Sequence, residues 1–254
     1  MALAALWSFG ALFVWRSLML LPLGFVSAEY KIEALAVGYL LATWLVLKLD
    51  SKLFKARAEP MGLWPSRPRW LAYGLMAGVG FTIVGSEIGN VGMKIVGNTI
   101  PYTPQGGPEP SVWMTALLGS IIHPICFGLI VFGVTLKTCL SWTKPWVAIG
   151  ITCCLSALGA PIAQTAQLIF IAGLPAWLYV QTRSIGLAIC AYLPASIMPL
   201  LDALALTPNI VGFDEVDPNR IMQQPIWFTL LGAGITIMSM WPLQSDLDNR
   251  EDPS

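Results

Sequence analysis

Eight apolar runs separated by short polar corners organise the chain: 3–25, 32–48, 70–95, 112–136, 145–163, 165–181, 185–205 and 226–243. An α-helix rises 1.5 Å per residue and a bilayer core is about 30 Å thick, so a spanning helix needs about 20 apolar residues. The pattern predicts an all-α, polytopic membrane bundle of about eight transmembrane helices. The fifth, sixth and seventh runs follow closely on one another, with Pro161 and the "QTRS" corner around Arg183 marking the turns between them. No basic stretch precedes the first run, which reads as a spanning helix and not as a cleaved signal.

An even number of spans puts both termini on one side. That side also receives Lys48, Lys52, Lys55, Arg57, Arg67, Arg69, Lys137, Lys144, Arg183 and Arg250, against only Lys31, Lys94 and Arg220 on the other. The bias predicts cytoplasmic termini in an inner or plasma membrane. The loop "DSKLFKARAEPMGLWPSRPRW" is expected to lay its basic side chains among anionic headgroups, making membrane lipids a partner. On the far side, "GNTIPYTPQGGPEP" reads as a cap without helix. "TPNIVGFDEVDPNRIMQQP" carries Asp214, Glu215 and Asp217 without the twelve-residue calcium-loop pattern, and reads as a solvated loop. The tail "QSDLDNREDPS" reads as solvated and acidic.

Composition agrees with the pattern. Of 254 residues 56% are hydrophobic and 11% charged, with a mean hydropathy of +0.70, whereas a soluble domain carries about a quarter charged residues. The formal net charge is zero, which implies no face for nucleic acid. Cys126, Cys139, Cys153, Cys154 and Cys190 show no C-x-x-C spacing and read as free thiols packed like small hydrophobes.

Three segments carry a further pattern: "PICFGLIVFG" with Pro124, Ile125 and Gly133, then "SALGAPIAQ", then "TRSIGLAICAYLPAS". In order and spacing they resemble the CPBP (CAAX protease and bacteriocin-processing) family of intramembrane proteases. The resemblance implies a CPBP-like core over 111–205, an N-terminal three-helix region over 1–110 with the basic loop, and a last part, 206–254, holding a far-side loop, the last helix and the tail. It also implies an intramembrane CAAX-type endopeptidase ancestry with the chemistry replaced. Phe127 and Gly128 stand where the family carries paired glutamates, and Phe132 where it carries arginine. Gln164 and Tyr192 stand for its two histidines, and Ser196 for its asparagine.

General-base catalysis needs a group that takes a proton near neutral pH, and none of these side chains is one. Oxyanion donors such as Gln164 or Tyr192 give little turnover without a base or nucleophile. One histidine without a nearby carboxylate is no metal-ligand set. The sequence therefore reads as a catalytically inactive pseudo-protease that serves another membrane protein as binding partner, scaffold or chaperone. The alternative is an accessory transmembrane subunit of a respiratory or photosynthetic complex, with His123 as axial ligand to a haem or chlorophyll-type pigment. An active intramembrane peptidase and a transporter complete the readings, the latter without an internal repeat to support it.

His123 lies one turn before Phe127 and borders the vacated position. Arg16, Glu87 and Asp202 fall at similar depth within apolar runs, and an Arg16–Glu87 or Arg16–Asp202 pair is expected to hold helices together. Straight-helix depths put Phe127 and Tyr192 in the cytoplasmic third but Gln164 nearer the far face. The small-residue segments "LMAGVG", "LLGAGI" and "AIGITCCLSALGA" suit close helix contacts, either internal or with a partner.

Overall fold

The computed structural model describes residues 2–27, 30–54, 62–96, 117–204, 206, 210–213 and 222–251. Among these, eight helices coincide with the eight apolar runs. They are α1 (Ala2–Leu20, prolonged by a tighter turn over Leu21–Phe25), α2 (Lys31–Leu53), α3 (Arg69–Val96), α4 (Leu118–Leu140), α5 (Pro145–Ser156), α6 (Ile162–Thr182), α7 (Ile185–Ala203) and α8 (Ile226–Glu251). The protein is thus an all-α bundle, and five of its helices (α1 with its prolongation, α2, α3, α4 and α8) are long and apolar enough to cross a membrane. The segment "GNTIPYTPQGGPEP", the acidic residues Asp214, Glu215 and Asp217, and the basic residues Lys55, Arg57 and Arg220 lie outside the described residues.

α4 is the central strut. Two thirds of its apolar window (67%) is buried inside the protein, against 22–39% for the other four long helices. Ile130 to Leu136 are buried without a break, as expected of a helix that is apolar all round. Around it pack α1, α2, α5 and α7, while α3 lies against α6, α7 and α8. Close approach in the second group depends on glycine. A Cβ on Gly78 would collide with the Ala191 carbonyl of α7, and one on Gly80 with the Gly232 carbonyl of α8. "LMAGVG" and "LLGAGI" are therefore used against each other and against α7, as small residues are used between helices in lipid.

The fifth run departs from its expected length. α5 ends at Ser156, about 18 Å from its start by helical rise, and Gly159 turns the chain at φ 79°. Pro161 then precedes α6, as the sequence predicts. The α5–α6 turn therefore follows the buried Ser156, at the level of Arg16 on α1, with Leu158 and Gly159 exposed at the bundle surface.

One end of the bundle gathers the corners assigned to a single side. The Trp7 indole donates to Asp50 Oδ1 at 3.0 Å, and the amides of Ile185 and Gly186 each donate, at 3.0 Å, to the carbonyls of Gly62 and Leu63 respectively. One expectation is corrected at this end. α8 continues through the supposed solvated tail to Glu251, and its Asp246 takes Arg67 and Arg69 at 2.6 Å each and the Trp70 indole at 3.0 Å. Arg67 and Arg69 thus clasp α8 through charge-assisted bonds while their side chains stay 41% and 55% exposed.

Candidate functional site

The positions that the family resemblance singles out lie on α4 and α7. His123 and Phe127 are four residues apart and share a face of α4. Phe132 follows five residues later, which on a regular α-helix would rotate it about 140° away. From Leu129 the helix widens to i→i+5 bonding, and such widened turns often re-aim side chains at functional places. The rings of Phe127 and Phe132 meet edge to face at 6.4 Å.

Tyr192 of α7 completes the cluster. It stacks on Phe127 with centroids 5.0 Å apart and planes 20° from parallel, and meets Phe132 at 6.3 Å. On the opposite side the ring of His123 stacks on Phe127 at 5.5 Å and receives Tyr39 of α2 edge-on at 5.5 Å. Trp15 of α1 closes the group, 5.5 Å from Tyr39 and 6.4 Å from Phe127, while its indole donates to Thr43 Oγ1 at 2.9 Å. Phe127, Phe132, Tyr192 and Trp15 are between 0% and 7% exposed. Where the resemblance would put a hydrophilic catalytic pocket, the chain has a packed aromatic plug.

The remaining family positions are placed differently. Gly128 is buried against Ile189 of α7, where a Cβ would meet the isoleucine side chain. Ser196 is half-buried one turn beyond Tyr192. Gln164 is exposed in the first turn of α6 and takes no part in the plug. Three residues on, Gln167 meets Gly89 near the C-terminal end of α3, so the start of α6 lies beside that end and away from the plug.

The intramembrane charges find other partners than expected. Arg16 donates from Nη2 to the Ser156 carbonyl at 2.9 Å. The last carbonyls of any helix lack an internal partner and carry the negative end of its dipole, so a guanidinium there caps α5 inside the bundle. Glu87 instead accepts from the Gln224 amide at 2.8 Å and from Asn90 Nδ2 at 3.2 Å, at the far end of α3. The Arg16–Glu87 pair does not form, because each group meets a backbone partner nearer its own depth. The side chain of Asp202 lies outside those described.

Among the described residues no group of three His, Cys, Asp or Glu side chains could hold a metal ion, and all five cysteines are free thiols. The sequence gives no direct signal for Trp15 and Tyr39 as plug residues, since periodicity reports which face of a helix is buried but not which helices face each other. Compared with known protein families, curated proteins and solved structures, the chain matches none.

Proposed function

We propose that this protein works by binding another integral membrane protein, as a scaffold or chaperone, and not by catalysis. The observation that carries the reading is the aromatic plug. At the positions that the resemblance assigns to a base, a cation and a histidine, Phe127, Phe132 and Tyr192 pack ring against ring, and this supports a bundle without a general base there. The CPBP resemblance supports a fold once suited to receiving a membrane-embedded peptide, with that capacity kept on its outer faces.

Those faces are broad and apolar. Trp227, Leu230, Ile237, Met238 and Trp241 stand 59–77% exposed along α8, and Gly150 and Gly234 have nothing within 4 Å of an added Cβ. Open glycines on a lipid-facing helix are where a partner helix approaches most closely. The chain is read as a multi-pass protein of an inner or plasma membrane with its basic end cytoplasmic.

Gentle-detergent purification from native membranes, followed by native mass determination, tests the reading. The expected result is a stoichiometric complex with an integral membrane protein, diminished by Gly234→Leu or Gly150→Leu with the fold intact. A respiratory or photosynthetic assembly as that partner makes the chain an accessory subunit. A bare 27.5 kDa chain recovered under conditions that preserve other membrane complexes counts against the proposal.

A further inference from the structure

At the end of the bundle that gathers the α2, α4 and α6 corners, a pocket of about 190 Å³ opens between Asp50, Phe54, Lys137, Thr138, Ser141 and Arg183. At about 30 Å³ per liquid water, that is room for on the order of six waters or a small polar group. Among the described residues its two cations form no ion pair. The ion pairs among the described residues both fall on Asp246, so Lys137 and Arg183 have no carboxylate at ion-pair distance. Asp50 is 7% exposed; its Oδ1 accepts from Trp7, and its Oδ2 has no described partner.

Arg183 supplies an independent sign. It is the one non-glycine residue at positive φ among those described, at φ 55° and ψ 17° directly after α6. Helices commonly end on glycine in this left-handed conformation, because any Cβ is strained there. The chain instead keeps a long cationic side chain at this position, on the wall of the pocket. Strained non-glycine backbone that persists is concentrated at ligand sites.

The pocket also lies where α2, α4 and α6 end, on the side that the charge bias assigns to the cytoplasm and its headgroups. Asp50 and Phe54 close α2, Lys137 to Ser141 close α4, and Arg183 closes α6. Basic pockets between membrane helices at this level accept phosphate-bearing headgroups. An anion alone would face the Asp50 carboxylate, which holds one hydrogen bond from Trp7 and leaves Oδ2 to a ligand donor. We propose that the pocket binds a phosphodiester headgroup ending in a primary ammonium, with the phosphate on Lys137 and Arg183 and the ammonium on Asp50. Both ends of such a zwitterion receive charge-assisted hydrogen bonds.

The test is native mass spectrometry of the purified full chain titrated with defined lipids. Phosphatidylethanolamine is expected to bind roughly tenfold tighter than phosphatidylcholine, whose methylated ammonium has no N–H to donate. Asp50→Asn should bring the two lipids within about twofold of each other. Arg183→Gly should weaken both roughly tenfold while the melting temperature holds or rises, since glycine suits the backbone there. Ser141→Trp, which narrows the mouth without changing charge, should give the same loss. Unchanged affinity in both Arg183→Gly and Lys137→Gln overturns the proposal. So does inorganic phosphate that competes as well as the lipid, which would make the ligand a free anion.

Discussion

Phe127 is held between the rings of His123 and Tyr192, and what can be put in its place tests the plug directly. A glutamate there would sit among aromatic faces, and the cation within reach of the neighbouring His123 and Tyr192, Arg16, already donates to the Ser156 carbonyl. Phe127→Glu is expected to destabilise the protein by roughly 3 kcal/mol or more, the scale for an unpaired buried charge, and to confer no peptidase activity. Thermal melting in detergent and a cleavage assay on the same sample check both halves. Arg16 gives the opposite case, a charge whose loss removes a cap. Arg16→Met should cost about 2 kcal/mol, the scale of a hydrogen bond to a charged group, and Arg16→Lys less, as read by melting temperature. At this scale the sequence was legible where neighbours share a helix: the adjacency of His123 and Phe127 follows from their spacing. It was not legible where the partner is backbone. A residue string shows Arg16 and Glu87 as opposite charges of similar depth, but not that the Ser156 carbonyl is an orphaned helix end.

Among the elements, α3 and α5 teach the most. α3 can lie against α7 and α8 only because Gly78 and Gly80 carry no side chain. Gly80→Val is expected to cost about 1–3 kcal/mol by overpacking, whereas Gly234→Ala, in open space, should leave the fold's melting temperature within a degree or two of wild type. A paired melting measurement separates them. The eight helices were read correctly from hydropathy because lipid-facing and core-facing residues are both apolar. For the same reason the end of α5 was hidden: the turn "ALGA" is as apolar as the helix before it, and Gly159 breaks the chain by conformation, not polarity. The C-terminal end of α8 was misread for the converse reason. Its charged residues look like a solvated tail until Arg67 and Arg69 are seen to meet Asp246. Asp246→Asn is expected to speed amide exchange over the last turns of α8 while leaving α4 protected, a difference that hydrogen-exchange mass spectrometry resolves.

For the whole molecule, the predicted one-sidedness of the loops and the convergence of Asp50, Gly62, Lys137, Arg183 and Asp246 at one end rest on separate grounds, one on charge counting and one on contacts. A cysteine introduced at Ser141, in a background with the exposed Cys154 replaced, should react with an impermeant maleimide only from the cytoplasmic side. Reaction from the other side would reverse the orientation while leaving the bundle intact. The central claim is that this bundle lost its chemistry and kept its shape. Proteolysis in reconstituted vesicles tests it most directly, with prenylated and unprenylated membrane peptides offered to wild type and to Tyr192→Phe. The account predicts no cleavage above empty vesicles by either protein. Cleavage by wild type that disappears in Tyr192→Phe would contradict it, and would make the plug a closed state of a working enzyme.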